Sequence, residues 1–99
     1  TGVDVATFAK VIADTTVVLL DVRTPEEYEE AHIGNAINID VLQDNFESKA
    51  ISVLPKDKKI ALYCRSGKRS KKAANILAAK GYKIIELNTG YLGWIEAKK

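Results

Sequence analysis

The chain of 99 residues has a single cysteine, a single histidine, two prolines and no methionine. One cysteine excludes an internal disulfide, so the fold has to rest on packing. One Cys and one His fall short of a structural zinc site, and neither a metal nor a cofactor is expected. No apolar run approaches the roughly 20 residues that cross a bilayer, so no membrane partner is expected. Charge of one sign is not in excess either, since 15 Lys and Arg face 13 Asp and Glu for a formal charge of +2. Nucleic-acid binding neutralises many phosphates at once, and no aromatic residues interleave with the basic ones, so nucleic acid is not an expected partner. The chain opens at Thr1 without a methionine or an apolar run, as a processed or trimmed chain would. This leaves two locations open, the cytoplasm and, after loss of a signal peptide, the periplasm.

With 46% hydrophobic and 28% charged residues, the composition is that of an ordinary folded protein. The length suits one compact domain over residues 1–99. Val17 to Val22 (VVLLDV) and Lys59 to Cys64 (KIALYC) are short apolar runs without alternation, the pattern of strands covered on both faces. Ala36 to Ile39 and Lys83 to Leu87 read as two further strands. Val5, Phe8, Ala9 and Ile12 follow helical spacing, as do Ala73, Ala74, Leu77 and Ala78, with Gly81 placed to end the second helix. Thr24, Pro25 and Glu27 form a helix start with a capping box, while Gly34 and Asn35 mark a turn. Alternating strands and helices imply parallel strands joined by crossovers, hence a layered α/β fold.

Charge is unevenly spread. Glu26, Glu27, Glu29 and Glu30 read as a solvated helix face. Arg65, Lys68, Arg69, Lys71 and Lys72 crowd behind the only cysteine. Cys64 closes a buried strand and opens a polar loop, Arg65, Ser66 and Gly67, that runs into a helix expected to begin near Arg69 or Ser70. Ligands of open α/β sheets bind at such strand ends. Gly67 lets the backbone approach a ligand, and the helix N-terminus presents unpaired NH groups and a positive dipole end. Cations and a helix N-terminus together favour the thiolate, the reactive form of cysteine, and Cys64 is therefore the candidate nucleophile. His32 lies in another turn and reads as structural, so a Cys and His protease pair fits poorly. Trp94 reads as core.

CRSGKRS resembles the active-site loop of the rhodanese family, with the nucleophilic cysteine first. DVRTPEEYEEAHIGNAINI resembles that family's signature of an Asp and Arg, an acidic helix with a Tyr, and a His and Ile before an Asn-Ile strand. TGYLGWIEA resembles its closing segment. Ala31 stands where the family usually has Gly, Gly34 and Asn35 alter the turn, and Thr89 replaces one of two glycines, a change expected at the rim of the pocket. The resemblance implies a rhodanese-like three-layer α/β fold, a central, mostly parallel sheet of four to five strands flanked by helices.

It also implies sulfur transfer from a small anionic donor such as thiosulfate to cyanide or a thiol acceptor, including a thioredoxin-like protein, through a persulfide on Cys64. Arg65, Ser66, Gly67, Lys68, Arg69 and Ser70 would bind substrate, with Lys71 and Lys72 on the helix surface. Asp21 and Arg23 would brace the loop. Three other readings stand beside this one. A persulfide carrier would use the same cysteine, whereas an interaction module would not need it. A cysteine-dependent phosphatase or arsenate reductase would close a wider loop than the one here, where four residues separate Cys64 from Arg69.

Overall fold

The computed structural model describes residues 2–98. Its elements are β1 (Gly2–Val3), α1 (Val5–Ile12), β2 (Val18–Asp21), α2 (Pro25–Glu30), β3 (Ile37–Asn38), α3 (Phe46–Val53), β4 (Ile60–Tyr63), α4 (Lys68–Ala79), β5 (Ile84–Leu87) and α5 (Gly90–Ala97). The five strands form one sheet in the order β1-β5-β4-β2-β3, and every neighbouring pair is parallel. The α/β fold expected from the alternation is present. The four strands read from the sequence each lose a residue or two at their ends. β1 is a fifth, too short to carry a hydrophobic pattern.

β4 lies between β2 and β5, and all four of its residues are buried. Side chains alternate across a strand, so the two faces of the sheet collect different sets. Leu20, Ile60, Leu62 and Cys64 pack with Phe46, Ala50, Ala73 and Leu77, which brings α3 and α4 onto one face. Leu19, Ala61, Tyr63 and Leu87 pack with Phe8, and Tyr91 and Trp94 of α5 add partly buried surface to that opposite face. α3 was not read from the sequence. Only Phe46 and Ala50 of its eight residues are buried, which leaves a weak helical pattern.

The capping box at α2 forms as expected, with Thr24 and Glu27 exchanging hydrogen bonds. At the following turn Gly34 alone takes a positive φ of 49°, and Asn35 does not. Gly81, at φ 92°, follows the end of α4.

Candidate active site

β2 and β4 are in register, with Asp21 beside Tyr63, so the ends of both strands reach one edge of the sheet. Cys64 follows Tyr63 directly and shares the face of Leu62, which turns its side chain toward α4. The thiol is 1% exposed and lies beneath the loop rather than at its open mouth. The Gly67 N–H donates to Cys64 Sγ at 3.0 Å. Gly67 has φ 105°, and a Cβ there would run into the carbonyl oxygen of Asn88. Glycine is thus required both by the turn and by the closeness of the neighbouring chain. α4 begins at Lys68, earlier than the sequence reading placed it, because the turn at Gly67 is tight.

The loop cations divide into two sets. Arg65 and Lys68 are exposed, and neither has an ion-pair partner among the described residues. Arg69 differs from its sequence reading as a free cation, since its two outer nitrogens donate to Glu27 Oε1 at 2.7 Å and Oε2 at 3.0 Å. Glu27 correspondingly departs from the solvated face expected of the acidic run. The Arg69 guanidinium holds its carboxyl down at about 2, and the same pairing raises Arg69. Ser66 is exposed. The Ser70 hydroxyl is buried and donates toward Gly67 O and Glu86 Oε2, both at 3.0 Å, so its side chain ties α4 to β5 instead of facing a ligand. Lys71 and Lys72 are exposed on α4, and Lys71 Nζ lies 3.7 Å from Glu86.

Asp21 and Arg23 are buried and joined. Arg23 Nε and an outer nitrogen donate to the Asp21 carboxylate at 2.7 to 3.0 Å, and the Arg23 backbone N–H adds a bond at 2.9 Å. Burial opposes the Arg23 charge, and the hydrogen bonds and charge of Asp21 overcome it, so its pKa lies above the ordinary value. Tyr63 donates to Asp21 Oδ2 at 2.9 Å and accepts from the Ile33 N–H at 3.0 Å. Burial pushes its phenol well up.

The pair reaches the cysteine loop through tyrosines instead of by direct hydrogen bonds. The Arg23 guanidinium stacks 4.4 Å from the Tyr91 ring centre. The Tyr91 N–H donates to Cys64 O at 2.8 Å and the Leu92 N–H to Arg65 O at 3.0 Å. Gly90 makes this crossing possible, because a Cβ there would lie 2.5 Å from Arg65 O and 2.7 Å from Cys64 O. Gly90 and Tyr91 lie in the TGYLGWIEA segment and Tyr63 in the KIALYC run, but the sequence reading gave none of the three a role at the site. Their roles depend on which strands and helix ends meet.

Ala31 keeps an extended backbone at φ −171°, which any residue adopts, and its carbonyl accepts from Arg23 at 2.6 Å. Thr89 packs its hydroxyl over Gly93 and does not enter the pocket rim. His32 stacks on Tyr28 at 3.9 Å and bonds the Tyr28 carbonyl at 2.9 Å, a structural arrangement. Trp94 is half-buried, edge-on to Phe8. No cluster of metal-ligating side chains exists among the described residues.

A sheet edge built this way, with a thiol under a backbone amide and a helix N-terminus, is the site of a rhodanese-type domain. The rhodanese-like domain family matches residues 4–97, and the chain belongs to that family. A sulfurtransferase of Allochromatium vinosum is 33% identical, with 93% of this chain and 85% of that protein covered. The thiosulfate sulfurtransferase PspE of Escherichia coli is 40% identical over 74% of this chain and 68% of its own length. The crystal structure of a rhodanese-related protein from Thermoplasma volcanium superposes with a TM-score of 0.85 at 32% identity, covering 97% of this chain and 91% of that one. The family and these relatives support sulfur transfer as the general activity.

Proposed function

We propose that this chain is a thiosulfate sulfurtransferase acting through a persulfide on Cys64. The observation that carries the reading is the Gly67 N–H aimed at Cys64 Sγ at 3.0 Å, beneath the N-terminus of α4. In the first step the Cys64 thiolate attacks the outer sulfur of thiosulfate. An S–S bond forms to Cys64, the bond between the two sulfurs of thiosulfate breaks, and sulfite leaves with its electron pair. In the second step cyanide or a thiolate attacks the outer sulfur, and Cys64 departs as thiolate. Arg65 and Lys68, exposed and without an ion-pair partner among the described residues, attract the donor dianion and stabilise departing sulfite. The Gly67 amide and the N-terminal end of α4 stabilise the terminal sulfur anion.

A persulfide carrier that takes sulfur from a protein and passes it on would use the same cysteine and the same amides. A phosphatase or arsenate reductase needs its loop arginine free to clamp an oxyanion. Arg69 spends both outer nitrogens on Glu27, which speaks against that reading.

Intact mass after incubation with thiosulfate tests the proposal. The expected result is a gain of one sulfur that cyanide removes and that Cys64→Ser does not acquire. No sulfur gain in the intact chain, or brisk aryl-phosphate turnover without thiosulfate activity, would overturn it.

A further inference from the structure

α4 starts on a glycine, and Gly67 has no side chain with which to cap it. The first turn is held from the side instead. The buried Ser70 hydroxyl reaches back to Gly67 O and across to Glu86 Oε2, each at 3.0 Å. Glu86 is itself buried, and Lys71 Nζ, 3.7 Å from its other oxygen, supplies a counter-charge. Gly67 is thereby tied to β5, and the Asn88 carbonyl just beyond that strand closes the space where a Cβ would stand. The other polar group of the same residue, the Gly67 N–H, donates to Cys64 Sγ at 3.0 Å. The N–H and the carbonyl flank one Cα, so a carbonyl held in place limits how far the amide can turn away from sulfur. Glycine is the residue with the most freedom to turn, which makes the tether matter there.

We infer that Glu86 and Ser70 are positioning residues for sulfur transfer, which hold the Gly67 amide on the Cys64 sulfur; this rests on the sulfur-transfer reading above. Both act through Gly67. Loading starts from a thiolate at Sγ and discharge regenerates one, so an amide aimed at that atom serves both ends of the cycle. It does so without reorganising only while Gly67 stays fixed. The exposed Arg65 and Lys68 take no part in this path, so attraction of the anionic donor is separate from it.

Single-turnover loading by thiosulfate, quenched and read as intact mass, separates the maximal rate from the half-saturating concentration. Displacement of a reacting group by about 1 Å can cost 100-fold in rate, and loss of one contact that holds Gly67 is expected to cost about tenfold. Ser70→Ala and Glu86→Leu should each lower the maximal rate by that factor. The half-saturating concentration should stay within about twofold of wild type, because Arg65 and Lys68 still meet the donor. Glu86→Gln keeps an oxygen for the Ser70 hydroxyl and should load within about threefold of wild type. Because the two residues share one path, Glu86→Leu should slow the Ser70→Ala protein by less than about twofold more. Tyr82→Phe removes a buried hydrogen bond to Leu54 O, at 2.8 Å, from the same core cluster and serves as the control for stability. Urea unfolding should place it near Ser70→Ala, while its loading rate matches wild type. A full second loss in the double variant would overturn the inference, and so would Glu86→Gln loading as slowly as Glu86→Leu. Equal slowing by Tyr82→Phe would trace the effect to stability and overturn it too. Variants that load as fast as a loading wild type would overturn it and leave the sulfur-transfer reading standing. A wild type that takes up no sulfur would remove that reading, and this inference with it.

Discussion

Gly90→Ala isolates the closeness of α5 to the cysteine loop. Gly90 has φ 64°, and Gly81, at φ 92°, has the same kind of backbone with open space where a Cβ would go. Gly81→Ala therefore carries only the conformational penalty of an L residue in the left-handed region, about 1–2 kcal/mol. Gly90→Ala adds a collision. Its Cβ would stand 2.5 Å from Arg65 O and 2.7 Å from Cys64 O, where ordinary contact begins at 3.4 Å. Backbone atoms cannot swing aside as a side chain does, so the loop or the start of α5 must move by about 0.9 Å. Overpacking of this kind costs a further ~1–3 kcal/mol. A domain with about 5–15 kcal/mol of stability still folds. Displacement of a reacting group by about 1 Å can cost 100-fold in rate. Urea unfolding of both variants should show Gly90→Ala losing more stability than Gly81→Ala. Thiosulfate-to-cyanide turnover of the folded protein should fall about 100-fold in the first and stay near wild type in the second. Equal stabilities and equal rates for the two variants would refute the account of how the loop is held.

Asp21→Ala leaves the Arg23 guanidinium buried and unpaired, and it should cost about 3–5 kcal/mol in urea unfolding. Tyr63→Phe, which keeps the ring and loses only the hydroxyl bonds to Asp21 and Ile33, should cost about 1–2 kcal/mol. The Glu27 carboxyl is depressed from 4.5 to about 2, so its pairing stabilises the fold above pH 4.5 and is lost as pH falls toward 2. Because the pair is partly open to solvent, its worth is about 1 kcal/mol, and Glu27→Gln should flatten the acid side of the stability curve by that much. Arg65→Gln with Lys68→Gln should raise the KM for thiosulfate several-fold at low salt and weaken its salt dependence, read from initial rates at two ionic strengths.

Continuous apolar runs announced β2 and β4, because strands covered on both faces need no alternation, and the capping residues Thr24, Pro25 and Glu27 announced the start of α2. Cys64, Gly67 and the cations were legible as a loop because strand end, glycine and helix start follow one another along the chain. Local chemistry of that kind is written in neighbouring residues. The pairing of Arg69 with Glu27, 42 positions away, was not, and it changes which cations remain free. Nor was the stack of Tyr91 on Arg23, or the need for glycine at position 90, since both arise from the meeting of α5 with the ends of β2 and β4. The sequence by itself determined the layered α/β class and the place of the candidate nucleophile at a strand end, through periodicity and contiguous motifs. Only the tertiary structure decided which charges cancel, which side chains tether Gly67 and how tightly the loop is clamped, because those depend on distances between segments that no local pattern encodes.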